Sequence, residues 1–108
     1  MVFTLGGQSF QALNGGTPAD YGTAASISVT CADQEEVDRL WAALTADGGS
    51  EIMCGWLRDR WGIPWQIVPE ALPRLLADPD PAVAARAFAA MTQMVKLDIA
   101  ALERAAAG

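Results

Sequence analysis

Two stretches of the chain share one pattern of apolar and polar positions. Residues 62–68 read GIPWQIV, and residues 7–13 read GQSFQAL. In both, a glycine and two variable positions precede an aromatic residue, a glutamine and two apolar residues. Because side chains alternate between the two faces of a β-strand, each stretch predicts a turn and then a strand with its aromatic residue on one face and its glutamine on the other. The repetition predicts equivalent strands in duplicated units.

A strand and a helix are predicted between these two copies. Polar and apolar residues alternate in SISVTC, residues 26–31, as in a strand with one polar face. Asp33 and Glu36 have the spacing of a capping box, which predicts the start of a helix. The helix has an apolar stripe at Val37, Leu40, Trp41 and Leu44. The glycines at 48 and 49 predict a left-handed helix end, and we expect the stripe to pack on a sheet.

Further strand signals lie on both sides of this helix. Residues 50–58 predict two strand pieces or one bent strand, and a turn at 59–62 leads into the strand at 62–68. The order over residues 26–68 is then strand, helix, strand, strand, strand, which is a βαβββ module. Residues 1–16 predict a hairpin around Gly6 and Gly7, which we interpret as the end of a partial second module.

The apolar strand positions, together with the helix stripe, predict the core. They are Phe10, Ile27, Val29, Trp65 and Ile67.

Residues 69–108 predict a helical segment. PEALPRLL predicts a short helical turn, and DPDP at 78–81 places Asp80 as the cap and Pro81 as the first residue of a longer helix. The apolar stripe of that helix consists of Ala84, Ala87, Phe88, Met91, Met94 and Val95. Asp98 is the predicted cap of a last helix. We therefore predict an α+β fold, a single domain over residues 1–108 in which these helices dock on the sheet.

Composition excludes several classes of protein. The 108 residues carry a net charge of −6 and include no His. The negative charge opposes binding to nucleic acid, and the lack of His excludes Ser-His-Asp and Cys-His catalysis. The N-terminus has no apolar run typical of a signal or membrane helix. Cys31 and Cys54 are the only cysteines, and their number allows one disulfide bond. A reduced, cytoplasmic protein is nevertheless the simpler interpretation.

Several stretches together resemble a known family. They are FTLGGQSFQALNGG, SISVTCADQEEVDRLWAAL, CGWLRDRWGIPWQIVP, LLADPDP and KLDIAALERA. In this order they resemble the PhnB-like, 3-demethylubiquinone 3-methyltransferase-like family of the vicinal oxygen chelate (glyoxalase) superfamily. The resemblance implies paired βαβββ modules that curl around a cleft. Members of the family carry a further strand, helix and strand before the position that matches residue 1.

The resemblance also implies where metal ligands would lie, on the first and last strands of each module. The matching positions here are Ser26 and Gln66 in the module over 26–68, and Gln11 in the partial one. Divalent metals favour His, Glu or thiolate over hydroxyl and amide oxygens. We therefore expect no cofactor. A weakly bound divalent cation is the one exception left open.

The candidate binding residues are polar strand positions and one aromatic. They are Gln11, Ser26, Ser28, Trp56 and Gln66. We predict that they face a cleft on the polar side of the sheet and bind a small molecule. The alternatives are a solvated strand face and, for Trp56, a hairpin packing residue. Cys54 is a weaker candidate for a nucleophile because no His can activate it. The acidic residues at 33–38 are explained by helix capping.

Two functional hypotheses follow. The first is a small-molecule-binding protein. The second is a metal-dependent lyase, isomerase or dioxygenase of the same superfamily. Methyl transfer is not supported, because the glycine-rich turn that follows the first strand in common S-adenosylmethionine enzymes is not found. A single module with an open sheet edge also predicts a homodimer, and one form of such a dimer exchanges elements between the two copies. We expect no nucleic-acid or membrane partner.

Overall fold

A computed structural model describes residues 1–12 and 22–108. It begins with a hairpin of β1 (Val2–Leu5) and β2 (Gln8–Gln11), which forms a two-stranded antiparallel sheet. Gly6 and Gly7 make the turn with φ of 56° and 81°, values that favour glycine. The hairpin is as predicted over residues 2–11. The remainder of the predicted 1–16 unit, residues 13–16, lies outside the described residues.

The predicted βαβββ order is confirmed over residues 27–69, which form one helix and a second, four-stranded sheet. The elements in chain order are β3 (Ile27–Cys31), α1 (Gln34–Thr45), β4 (Ser50–Glu51), β5 (Trp56–Arg58) and β6 (Pro64–Pro69). The strand order is β3-β6-β5-β4, with β3 parallel to β6 and the other pairs antiparallel. The stretch 50–58 therefore contains two strand pieces. Together with the helices that follow, this architecture confirms the α+β fold class.

Helix α1 begins where the capping signal placed it. The carboxylate of Asp33 accepts a hydrogen bond from the backbone N–H of Glu36 at 2.9 Å, and Glu36 Oε2 accepts one from the N–H of Ala32 at 3.3 Å. The helix is followed by a 3-10 turn over Ala46–Gly48, in which Asp47 and Gly48 have φ of 56° and 108°. The left-handed exit thus begins at Asp47, one residue before the predicted position.

The main core lies between α1 and one face of the four-stranded sheet. Its buried members are Cys31, Val37, Trp41, Leu57 and Ile67, and its half-buried members are Val29, Leu40, Leu44 and Trp65. The helix stripe therefore packs on the sheet as predicted, and the burial of this apolar surface is the main force that holds the module together.

Two predicted core residues are exposed. Phe10 is 42% and Ile27 45% accessible to solvent. Phe10 stacks on Phe3, with ring centroids 5.8 Å apart, but within the described part of the chain no helix covers the hairpin as α1 covers the larger sheet. Ile27 begins β3, which is an edge strand of its sheet. The prediction failed here because alternation identifies a face of a strand but not whether anything covers it.

Three helices follow the sheet. They are α2 (Ala71–Leu76), α3 (Pro81–Met91) and α4 (Ile99–Ala107). Asp80 and Asp98 cap α3 and α4 as predicted, each through its side chain. A second apolar cluster contains the buried residues Leu72, Leu97 and Leu102 and is contacted by Val68 of β6. Within the described residues, no helix is both long enough and apolar enough to cross a membrane.

The predicted stripe of α3 extends too far. The helix ends at Met91, and Phe88 is 54% exposed. Beyond the helix, the carbonyl oxygens of Met94 and Val95 accept hydrogen bonds from the N–H groups of Cys54 and Gly55, at 2.7 and 2.8 Å. A longer α3 would use these carbonyls within the helix, so their bonds to the segment just before β5 are incompatible with a longer helix.

A side-chain amide fixes the last helix to α1. Gln34 Nε2 donates to the carbonyl oxygen of Leu97 at 3.1 Å, and Gln34 Oε1 accepts from the N–H of Ile99 at 2.8 Å. Lys96 also forms an ion pair of 2.8 Å with Asp38. This lysine is the main reason why the pKa of Asp38 lies below its usual value. These contacts dock the helical segment on the module.

The core assignment predicts a large loss of stability for Trp41→Ala. Trp41 is 6% exposed, so truncation leaves a cavity and should lower the free energy of unfolding by about 3–5 kcal/mol. Thermal and urea melts measure this. Trp61→Ala is the matched control, because Trp61 is 69% exposed and its loss should change stability by about 0.5 kcal/mol or less. Equal losses in the two variants would contradict the assignment.

Candidate ligand-binding site

Three of the five candidate residues form one row across the four-stranded sheet. Gln66 of β6 is paired with Ser28 of β3 on one side and with Trp56 of β5 on the other. Residues paired directly across neighbouring strands point to the same face of a sheet. Ile67, the next residue along β6, lies in the core against α1. The row Ser28–Gln66–Trp56 therefore lies on the face opposite α1, which we call the open face.

Ser26 joins this row through a hydrogen bond. Gln66 Nε2 donates to Ser26 Oγ at 2.7 Å. The bond holds the amide in one orientation and uses one of its two N–H groups. The other N–H and the carbonyl oxygen are not engaged by any described residue. Gln66 and Ser26 are half-buried and Ser28 is exposed, so a ligand on this face would find both a donor and an acceptor.

Shallow depressions lie at the two ends of the row. The one at the Ser26 end has a volume of about 400 Å³ and is lined by Gly22, Ala24, Ala25, Ser26, Ile27, Ile63 and Pro64. The one at the Trp56 end has a volume of about 320 Å³ and is lined by Thr23, Ile52, Met53, Cys54 and Trp56. Both are mainly apolar, and both volumes are at the lower end of those that hold small ligands.

Gln11 is not part of this row. It lies at the end of β2 in the separate hairpin, where it pairs with Val2 and is exposed. Along β2 it alternates with Phe10, as Gln66 alternates with Trp65 along β6. The two copies of the motif thus have the same local geometry but belong to different sheets.

The two thiols are free and differ in their surroundings. Cys31 lies in the core, where burial, more than the neighbouring carboxylate of Glu36, raises the pKa of its thiol. Cys54 is half-buried beside Trp56 and has a φ of 62°, which favours glycine. The N–H of Cys54 donates a hydrogen bond to the carbonyl oxygen of Met94, so this backbone conformation helps to dock the helical segment.

The donor atoms on the open face do not fit a catalytic metal. At the two positions of the superfamily pattern that lie on this sheet, Gln66 and Ser26 bond to each other and offer only an amide oxygen and a hydroxyl, without the imidazole, carboxylate or thiolate that divalent metals favour. Across residues 1–12 and 22–108, no group of three His, Cys, Asp or Glu side chains is placed to hold a metal ion. No step of chemistry is therefore assigned to a metal here.

The role of Asp59 was not predicted from the sequence. This carboxylate is 6% exposed at the start of the turn between β5 and β6. Its Oδ1 accepts from the N–H groups of Trp61 and Ile63 at 2.9 and 3.0 Å, and its Oδ2 accepts from Trp65 Nε1 at 2.9 Å. An Asp at the first position of a turn often bonds the backbone two residues later, which is a signal that could have indicated it. By holding this turn, Asp59 sets the register of Gln66 against Trp56.

Asp59→Asn tests this role. The amide oxygen can replace Oδ1, but the amide nitrogen then faces the N–H of Trp65, so one hydrogen bond is lost and two donors oppose each other. We expect a loss of about 1–3 kcal/mol in the free energy of unfolding. Asp47→Asn is the control, since Asp47 is exposed and pairs with Arg60, and its effect should stay below about 1 kcal/mol. Urea melts of both variants make the comparison, and an unchanged midpoint for Asp59→Asn would refute the role.

The βαβββ order, with a helix on one sheet face and a polar row on the other, defines a glyoxalase-like α+β protein. The match to a family model agrees with this. The chain belongs to the family described as 3-demethylubiquinone-9 3-methyltransferase, whose family model matches residues 1–68. The PhnB-like resemblance expected from the sequence is thus confirmed.

A solved structure from Bacillus cereus is among those similar to this chain over part of their length. It is named, provisionally, as a 3-demethylubiquinone-9 3-methyltransferase, PhnB protein, from Bacillus cereus. The identity is 30% and the TM-score 0.48, with 63% of this chain and 61% of that chain covered. The chain therefore spans about three fifths of that protein. Among curated proteins, none matches the chain significantly.

Proposed function

We propose that this protein binds a small molecule on the open face of its four-stranded sheet. The observation that supports the proposal best is the row Ser28–Gln66–Trp56, in which an indole, an amide and a hydroxyl share one face. Ser26 orients the amide through its 2.7 Å hydrogen bond. A polar group that is held in position but still accessible is typical of a binding site, because it loses little conformational entropy when a ligand binds.

The chemistry of the row indicates the class of ligand. The indole of Trp56 offers a flat apolar surface, and Gln66 offers a donor and an acceptor beside it. A planar ring that carries adjacent oxygen atoms would satisfy both. With apolar depressions at both ends of the row, a small oxygenated aromatic molecule fits better than a highly charged one.

Methyl transfer is not part of this proposal. The described sheet carries α1 on one face, whereas common S-adenosylmethionine enzymes have a doubly wound sheet with a glycine-rich turn after the first strand. The metal-dependent alternative would need ligands other than Ser26 and Gln66, and no observation favours it. The free thiols of Cys31 and Cys54 support the cytoplasm as the location.

Catechol is a suitable probe because it combines a flat ring with two adjacent hydroxyls. In NMR titrations it should shift the indole N–H of Trp56 and the side-chain amide of Gln66 in a saturable manner. Gln66→Ala should weaken binding about 3- to 10-fold, the equivalent of one hydrogen bond. Trp56→Ala should weaken it further, because it removes the flat apolar surface.

Trp61→Ala provides the matched control for this titration. Trp61 is exposed on the turn at residues 59–62 and stacks with Arg60, with the guanidinium carbon 5.1 Å from the ring centroid. Its removal should leave the affinity for catechol unchanged. Saturable binding that both Trp56→Ala and Gln66→Ala leave intact, or the absence of any saturable shift, would contradict the proposal.

A further inference from the structure

One short segment of the chain borders both depressions on the open face. Residues 22–25 line the depression at the Ser26 end of the row with three small residues, and they line the depression at the Trp56 end with Thr23. The segment therefore lies between the two depressions. It leads directly into Ser26, whose hydroxyl accepts the hydrogen bond from the amide of Gln66. The position of the segment is thus tied to the row itself.

The length of this segment shows how it runs over the sheet. Thr23 is three residues before Ser26, so the Cα atoms of the two residues are at most about 10–11 Å apart. The row extends over three strands, and two strand spacings also amount to about 10 Å. Thr23 reaches the depression at Trp56 because the segment runs over the open face from β3 toward β5. A ligand that stacks on Trp56 would therefore meet Thr23.

Thr23 differs in chemistry from its neighbours in this depression. The other described residues that line it are Ile52, Met53, Cys54 and Trp56. An indole only donates a hydrogen bond, a thiol and a thioether bond weakly, and an aliphatic side chain does not bond at all. The hydroxyl of Thr23 both donates and accepts. Thr23 is exposed, and no described residue forms a hydrogen bond with its side chain. Its hydroxyl is therefore accessible to a ligand.

Thr23 and Gln66 offer hydrogen bonds on different sides of Trp56. Gln66 is paired with Trp56 across the β5–β6 ladder and does not line the depression that contains Thr23. Ile52 lies on the other side of Trp56, where its N–H donates to the carbonyl oxygen of Trp56 at 2.9 Å, and it lines that depression together with Thr23. A planar ring over the indole would thus turn one edge toward Gln66 and another edge toward Thr23.

We propose that Thr23 is a specificity-determining residue, which forms a hydrogen bond to an oxygen-bearing substituent on the ring edge away from Gln66. This inference rests on the proposed function, because it requires a ring stacked on Trp56. It narrows the class of ligand to an aromatic ring with two adjacent oxygen atoms at Gln66 and a third oxygen atom on the far side. A site that bonds a hydroxyl of its ligand discriminates against an analogue without that hydroxyl.

Two probes of equal size test the role of Thr23. One is the catechol that carries a hydroxymethyl group para to one of its hydroxyls, and the other carries an ethyl group at the same position. NMR titrations of the whole chain measure both affinities through the indole N–H of Trp56. Thr23→Val keeps the shape of the side chain and removes its hydroxyl. It should weaken binding of the hydroxymethyl probe about 3- to 10-fold and change that of the ethyl probe less than about twofold.

Three variants serve as controls. Thr23→Ser keeps the hydroxyl and should retain the affinity for the hydroxymethyl probe. Thr4→Val changes an exposed threonine of β1 in the separate hairpin, so it should alter neither affinity. Gln66→Ala should weaken both probes by the same factor, because both carry the two adjacent hydroxyls. Thr23 is exposed, so its variants should fold, and circular dichroism and melting curves check this.

The outcomes separate this inference from the proposed function. If both probes bind in a manner that depends on Gln66, but Thr23→Val affects them equally or affects neither, the role of Thr23 is refuted and the ligand site on the open face remains. If neither probe gives a saturable shift with the wild-type protein, the proposed function and the role of Thr23 are both refuted. A selective loss for the hydroxymethyl probe that Thr23→Ser does not share supports the inference.

Discussion

The position of β6 determines most of this structure. β6 pairs with β3 on one side and with β5 on the other, and its side chains alternate between an apolar face and a polar one. Ile67 is fully buried against α1, and its neighbour Gln66 lies on the opposite face with Ser28 and Trp56. A shift of one residue in this register would exchange the two faces, moving Ile67 into solvent and Gln66 into the core. The turn held by Asp59 and the burial of Ile67 oppose such a shift.

The helical segment depends on the same sheet. Val68 of β6 contacts the second apolar cluster, and the N–H groups of Cys54 and Gly55, just before β5, bind the carbonyl oxygens that follow α3. At Gly55, φ is 82° and a Cβ would lie 2.9 Å from Leu97 Cδ1, so both the backbone conformation and the close packing favour glycine. Val68 alternates onto the same face as Gln66, so the last helices cover one end of the open face, and Ser26, Ser28, Trp56 and Gln66 lie on the remainder.

Local signals in the sequence were sufficient to predict many of these helices and strands. The caps at Asp33, Asp80 and Asp98 and the alternation in β3 and β6 depend on neighbouring residues, and they were predicted correctly. The errors concern contacts between distant segments. The exposure of Phe10 and Phe88 and the end of α3 depend on which surfaces meet, and short-range patterns contain no such information. The same holds for the candidate residues, since the repeated motif placed Gln11 and Gln66 at equivalent strand positions but could not show that Gln11 lies in a separate sheet.

The most direct test of the account is to measure which side chains surround Gln66. Nuclear Overhauser spectra of the labelled protein report proton pairs in close contact. The side-chain amide of Gln66 should give cross-peaks to Ser26, Ser28 and Trp56, while the methyl groups of Ile67 should give cross-peaks to Val37 and Trp41 of α1. Cross-peaks from the Gln66 amide to α1 would show that the faces of β6 are exchanged, and they would contradict both the fold and the ligand site derived from it.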